Sequence, residues 1–262
     1  MKIRFPIALL LVVSVSAGIG WVMSHQVNGK SAASTPVRPA AGTPGTQRPV
    51  TVATAPSTLP RGYSITAVAI TPRLPVYDNP NGRGPRLTLR NPTATGAPLT
   101  LLVKAIGPGW VQAYLPTRPN GWLGWVRERS VKLLKTPWSL TVRLRSHQLT
   151  VTRAGSTVRV LRIGVGRSVT PTPTGTYFIT ELLKQPDPAG PYGPYAFGLS
   201  AHSGVLQHFG RGGNGQIGIH GTDQPQLIGT DASHGCVRLR NADIIWLTQR
   251  LPLGTPVIIS HT

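Results

Sequence analysis

From residue 62 onward the chain is a succession of short apolar runs divided by glycine, proline and asparagine, and few of the runs have helical spacing. Between Gly62 and Leu134 the runs are Ile65 to Ile70, Leu74 to Tyr77, Leu99 to Ile106, Trp110 to Leu115 and Trp122 to Val126. Asn79-Pro80-Asn81-Gly82, Gly107-Pro108-Gly109 and Pro119-Asn120-Gly121 punctuate them, a rhythm that predicts a small β barrel or sheet. Past Pro137, Ser139 to Leu144, Gln148 to Arg153 and Val158 to Val165 alternate as strands, with Gly155 at a hairpin turn. Gly175 to Glu181 and Thr255 to Ser260 also read as strands. One helix is predicted, Asn241 to Leu251, from the spacing of Ala242, Ile245, Trp246 and Gln249 behind an Asn241 cap. The expected fold class is mainly β.

Upstream the pattern changes twice. An uncharged apolar run from Phe5 through Met23 follows Lys2 and Arg4, which predicts a membrane anchor or a signal peptide within residues 1–28 and places everything after it outside the cytoplasm. Val15-Ser16-Ala17 suits a signal peptidase, whereas Ile19, Trp21 and Val22 prolong the apolar run as an anchor would. Residues 29–61, rich in Pro, Ala, Ser, Thr and Gly, form a linker that reaches roughly 3 Å per residue in its extended form. The expected organisation is therefore anchor or signal (1–28), linker (29–61), small β barrel (62–135) and a second β domain (136–262).

Charge narrows the partners. Lysine and arginine number 27 against 7 acidic residues, a formal net charge of +20, and such a field attracts polyanions. The basic residues are scattered through every region with no recognisable nucleic-acid module, so an anionic membrane or an anionic cell-wall polymer is expected before nucleic acid. The single cysteine has no partner for an intramolecular disulfide, which leaves a free thiol to be explained.

That thiol, Cys236, follows His220 by a short stretch, Ile219-His-Gly-Thr-Asp-Gln-Pro-Gln-Leu-Ile-Gly-Thr-Asp-Ala-Ser-His-Gly-Cys-Val-Arg238. A thiol attacks as the thiolate, so a nucleophilic Cys236 needs a base, and an imidazole serves near neutral pH. Glycines at Gly218, Gly221, Gly229 and Gly235 allow backbone amides to approach a carbonyl oxygen closely. A zinc site from His220, His234 and Cys236 lacks paired-ligand spacing, and neither metal nor cofactor is expected.

The string Ser233-His234-Gly235-Cys236-Val237-Arg238, preceded by Ile219-His220-Gly221-Thr222 and Ile228-Gly229, resembles the signature of bacterial L,D-transpeptidases, which remodel peptidoglycan cross-links. Val165-Gly166-Arg167 with Thr170-Pro-Thr-Pro-Thr-Gly175 resembles that family's turn into a strand, and Gly190-Pro-Tyr-Gly193 with Gly198-Leu-Ser200 resembles its loop over the active site. Where many members carry a tryptophan in that loop, Pro194-Tyr195-Ala196-Phe197 stands here. The Gly-Trp repeats at Trp110, Trp122 and Trp125 resemble bacterial Src-homology-3-like modules, and these tryptophans either pack a core or stack on a wall ligand.

The resemblance implies a β sandwich with a cleft, Cys236 as nucleophile and His220 as base. Gly235 and Cys236 amides, with Ser233 or His234, would support the oxyanion. The carbonyl of Gly221 would orient the imidazole, with Asp223 and Asp231 as lesser candidates. Arg238 would hold a substrate carboxylate or brace its loop. The implied substrate is a peptidoglycan stem peptide, taken up as a thioester and passed to an amine, or to water in an L,D-carboxypeptidase. A wall-binding protein without activity is the non-enzymatic alternative. The implied location is extracytoplasmic, membrane-anchored or secreted into the wall. Sortases carry a Thr-Leu-x-Thr-Cys strand that is absent from this sequence, and Cys-His wall endopeptidases place the cysteine first.

Overall fold

The structure, a computed structural model, describes residues 60–208 and 214–262; the expected anchor or signal and nearly all of the linker lie outside the described residues. Seven strands precede residue 137: β1 (Ser64–Ala69), β2 (Arg73–Val76), β3 (Leu87–Arg90), β4 (Thr100–Gly107), β5 (Trp110–Tyr114), β6 (Leu123–Arg127) and β7 (Val131–Thr136). Five pair antiparallel in the order β6-β5-β4-β1-β7, and the β2–β3 ribbon docks on β6 where Tyr77 and Trp125 exchange two backbone hydrogen bonds of 2.8 Å. Together they enclose a core that includes Ala67, Leu74, Leu101, Val111, Leu115 and Val126. The tryptophans contribute to this packing: Trp110 and Trp125 are buried, Arg127 lies 3.8 Å over the Trp110 ring, and Arg86 lies 4.4 Å over that of Trp122.

Ten more strands build the second sheet and its margins: β8 (Trp138–Arg143), β9 (Gln148–Arg153), β10 (Ser156–Arg162), β11 (Val165–Gly166), β12 (Gly175–Lys184), β13 (Tyr195–His202), β14 (Gln216–His220), β15 (Asp231–Ser233), β16 (Val237–Arg238) and β17 (Pro256–Ser260). Eight of them run in the order β10-β9-β8-β17-β12-β13-β14-β16, and β11 pairs with β15. The long β12 serves both halves, pairing with β17 through Gly175–Phe178 and with β13 from Ile179 onward, so the halves fold over one core of Leu140, Val151, Ile179, Leu199, Ile219 and Val257. Mainly β architecture is thus what the residues form. The hairpin between β9 and β10 turns on Ala154 and Gly155, both at positive φ (50° and 82°), the backbone that a two-residue type I′ turn requires.

Two expectations need correction. The stretch Gly198-Leu199-Ser200 is not loop but the interior of β13, a strand buried along most of its length. The one α-helix among the described residues, α1 (Asn241–Thr248), ends earlier than predicted and buries Ile244 and Leu247, while Ile245 is 38% exposed. Arg240 occupies the N-cap position without a side-chain bond, and Asn241 Oδ1 instead accepts the Thr222 amide at 2.8 Å. Asn241 is the first helical residue, one position past the cap, which leaves its side chain for Thr222.

The two sheets are joined by specific contacts. Along β12, Tyr177 and Ile179 face the second core, and Phe178 between them is wholly buried in the first. The amide of Asn120 donates to His202 O at 2.7 Å and its Oδ1 accepts from His202 N at 2.8 Å. Arg118 Nη1 donates to Ser203 O at 2.7 Å, and its Nη2 reaches Leu206 O and Asn214 O.

Candidate active site

β14 and β16 lie parallel, with Ile219 beside Val237 and His220 beside Arg238, so the residue that ends one strand and the residue that precedes the other are brought to the same edge. Those residues are His220 and Cys236. Cys236 Sγ accepts a hydrogen bond from Gly218 N at 3.3 Å. The loop before it is held from inside: Ser233 Oγ donates to Cys236 O at 2.6 Å and accepts from Gly235 N at 3.0 Å. From the Pro-Thr-Pro-Thr turn, Thr172 Oγ1 accepts from Gly166 N at 2.9 Å and donates to Gly235 O at 2.8 Å, and Thr170 Oγ1 donates to Ser233 O. The Gly235 amide, expected as an oxyanion donor, is therefore committed to Ser233. Cys236 N forms no hydrogen bond among the described residues.

His220 is 4% exposed, and its Nδ1 lies 2.6 Å from Gly221 O. A carbonyl accepts only, so Nδ1 carries the proton and Nε2 keeps its lone pair. Asp223 is exposed, and Asp231 bonds His147 Nε2 at 2.7 Å, so neither carboxylate orients His220. Burial lowers the imidazole from 6.5 to about 4, with Arg238 pushing the same way and the Gly221 carbonyl opposing. Burial raises the Cys236 thiol, opposed by the Gly218 amide and by Arg238. Near neutral pH the site at rest is a neutral thiol and a neutral imidazole.

A tyrosine covers the pair. The Tyr192 ring stands 4.8 Å from that of His220 at 58°. Its loop turns at Gly193 (φ +61°) and packs so tightly that a Cβ at Gly193 or at Gly221 would come within 2.4 or 2.3 Å of Asn241 Oδ1. Glycine at both positions is thus what lets one amide side chain clamp the lid to the segment that orients His220.

Five of the predicted residues, Cys236, His220, Ser233, His234 and Arg238, line one cleft of about 440 Å³ with Tyr192 and His208. Gly221 and Gly235 are buried in the loops that carry them. His234 Nε2 accepts from Arg167 Nη2 at 2.6 Å, and Arg238 reaches Gln224 Oε1 at 3.4 Å while its buried Nε has no partner among the described residues. A smaller cavity of about 220 Å³ shares Tyr192, His220 and Cys236 and extends over Gly198 and Gly218 to Glu181. In the sequence Tyr192, Arg167 and Thr172 stand within motifs that give them no role of their own, and Glu181 stands in a stretch that no motif flags.

Comparison with known proteins bears on the second half of the chain. A family model for the YkuD L,D-transpeptidase catalytic domain matches residues 137–259. The protein named "Putative L,D-transpeptidase YkuD" of Bacillus subtilis (strain 168) is 36% identical over 125 residues, 48% of this chain and 67% of its own length. "Probable L,D-transpeptidase YbiS" of Escherichia coli (strain K12) is 44% identical over 77 residues, which are 29% of this chain and 22% of that one. A solved L,D-transpeptidase from Mycobacterium smegmatis superposes with a TM-score of 0.40 at 14% identity, covering 62% of this chain and 90% of that one. The sequence match to the Bacillus protein carries the assignment: through residues 137–259 this chain belongs to the L,D-transpeptidase family.

Proposed function

We propose that the chain is a cysteine acyltransferase that cross-links peptidoglycan outside the cytoplasm, with Cys236 as nucleophile and His220 as base. The observation that carries this reading is the fixed tautomer of His220, which leaves Nε2 unprotonated on a residue that lines the same cleft as the only thiol of the chain. Nε2 takes the thiol proton as sulfur bonds to a peptide carbonyl carbon of the donor stem, and the Cys236 amide steadies the oxyanion. Losing one such donor typically costs about 3 kcal/mol in the barrier. The carbon–nitrogen bond then breaks, D-alanine leaves with the proton from His220, and a thioester remains. An acceptor amine attacks the thioester, gives its surplus proton to His220 and expels the thiolate, which then takes that proton from His220 and restores the neutral pair.

A transfer between two peptides needs room on both sides of the sulfur, and the two cavities that meet at Tyr192, His220 and Cys236 provide it. Water in place of the amine would make the same intermediate a carboxypeptidase's. Arg238, with its unsatisfied Nε at the cleft, is suited to a substrate carboxylate. Lys2, Arg4 and the apolar run after them support export, and the +20 charge supports residence among anionic wall polymers. The test is incubation of the purified chain with disaccharide tetrapeptides, with products followed by mass. Cross-linked dimers and free D-alanine are expected, and Cys236→Ala is expected to abolish both while keeping its circular dichroism. Tripeptide alone would assign a carboxypeptidase, and more than a few per cent of wild-type turnover in Cys236→Ala would remove the thiol from the chemistry.

A further inference from the structure

Glu181 is 8% exposed, and it is the carboxylate least expected to lack a cation in a chain with 27 lysines and arginines and 7 acids. The ion pairs among the described residues join Asp78 to Arg86, Asp231 to His147 and Asp243 to Arg159, and none of them includes Glu181. Its Oε2 accepts from Thr95 Oγ1 at 2.5 Å, a single neutral donor supplied by the segment between β3 and β4. A buried carboxylate without a positive partner is costly, and among the described residues no ion pair is supplied to it.

Glu181 and Cys236 line the same cavity. In register across three strands stand Glu181, Gly198 and Gly218, and Gly218 N is the donor to Cys236 Sγ. The Glu181 side chain lies across Gly198: a Cβ there would come within 2.5 Å of Glu181 Oε1. The two glycines therefore form the bare floor of a trough with the sulfur at one end and the carboxylate at the other, and the 220 Å³ cavity is that trough. With neighbouring strands ~4.8 Å apart, the carboxylate stands roughly one strand spacing from Gly218, within reach of the four-carbon stem of a lysine-like side chain.

The geometry points to Glu181 as the residue that binds a side-chain ammonium on the donor, carried by the same residue whose carbonyl Cys236 acylates. This rests on the acyl-transfer reading above and assigns to that site the residue that recognises the donor's side chain next to the scissile carbonyl. Thr95 holds Oε2, which leaves Oε1 over the glycine floor for the cation. Glu181 is a specificity residue, and it leaves the bond changes at sulfur and imidazole as they are.

The experiment measures single-turnover acylation of Cys236 by intact-protein mass, with no acceptor present. The probes are two tetrapeptides ending in D-alanine, one with lysine and one with norleucine at the third position. The wild type is expected to acylate at least tenfold faster with lysine. In Glu181→Gln, which retains an oxygen for Thr95, the ratio of the two rates is expected to fall to about one, and Gly198→Ala, which pushes a methyl against Oε1, is expected to lower it as well. Equal rates in the wild type overturn the proposal without the need for any variant to fold. A lysine preference that survives Glu181→Gln also overturns it. So does a variant that acylates normally and is slow only when an added amine attacks the preformed thioester, because the carboxylate would then serve the acceptor. If the wild type forms no Cys236 adduct with either peptide, the acyl-enzyme reading falls and this proposal with it, a result distinct from equal acylation by both.

Discussion

His220, the base of the proposed mechanism, carries a structural cost. Burial drops its imidazole to about 4, whereas the unfolded chain titrates it near 6.5, so on acidification the unfolded state binds the proton first. The associated stability is complete above about pH 6.5 and is lost as pH falls to about 4, to the extent of about 3 kcal/mol. Denaturant midpoints measured at pH 7 and pH 4.5 should therefore differ less in His220→Gln than in the wild type. An equal acid loss in both would mean that His220 is not held neutral by the fold. His202, also lowered by burial, remains in both proteins and cancels in the comparison. At this scale the sequence is informative about Cys236 and His220, because thiol and imidazole chemistry is confined to a few residue types. It is silent about Glu181, whose meaning comes from two glycines on neighbouring strands.

Among the elements, legibility follows exposure. Gln148–Arg153 is predicted with the bounds it has, because a strand with a wet margin alternates or ends visibly. β13 and β14 escape detection because both faces are covered and the runs include small residues, so Tyr-Ala-Phe-Gly-Leu-Ser-Ala-His carries no period-two signal. β3 is missed for the opposite reason, being four residues long and half exposed. The helix is found but rotated, since Ile244 and Ile245 are equally apolar and only packing decides which turns inward. Asn241 shows how an element end can govern a site: its side chain holds Thr222 N and fills the space left by Gly193 and Gly221. Asn241→Ala is expected to cost about 1–2 kcal/mol of stability by orphaning that amide, and to slow acylation roughly tenfold by loosening the Tyr192 lid. Asn241→Asp, which keeps the acceptor, should recover most of both. Thermal unfolding and single-turnover acylation measured together would show whether lid and helix are coupled as described.

For the whole molecule, charge outweighs every other surface property. Among the described residues three of the acids are engaged in ion pairs and several arginines lie over aromatic rings, yet lysine and arginine number 27 against 7 acids in the sequence, an excess that the chain's own carboxylates cannot match. Binding of the full chain to purified sacculi is expected to weaken steeply between low salt and about 0.5 M, where screening acts over a few ångströms. Turnover of a small soluble muropeptide should change far less. Retention that ignores salt would shift the credit from charge to the surface of the first sheet.

Phe178 gives the two sheets a shared fate. Its strand belongs to the catalytic sheet, its neighbours Tyr177 and Ile179 face that sheet's core, and its own ring completes the other core. Neither half can melt without uncovering an aromatic side chain that the other half had shielded, so heat should remove both in one endotherm rather than two. Excising residues 62–135 would therefore leave the Phe178 ring bare on the wall of what remains, so the first sheet is no detachable accessory.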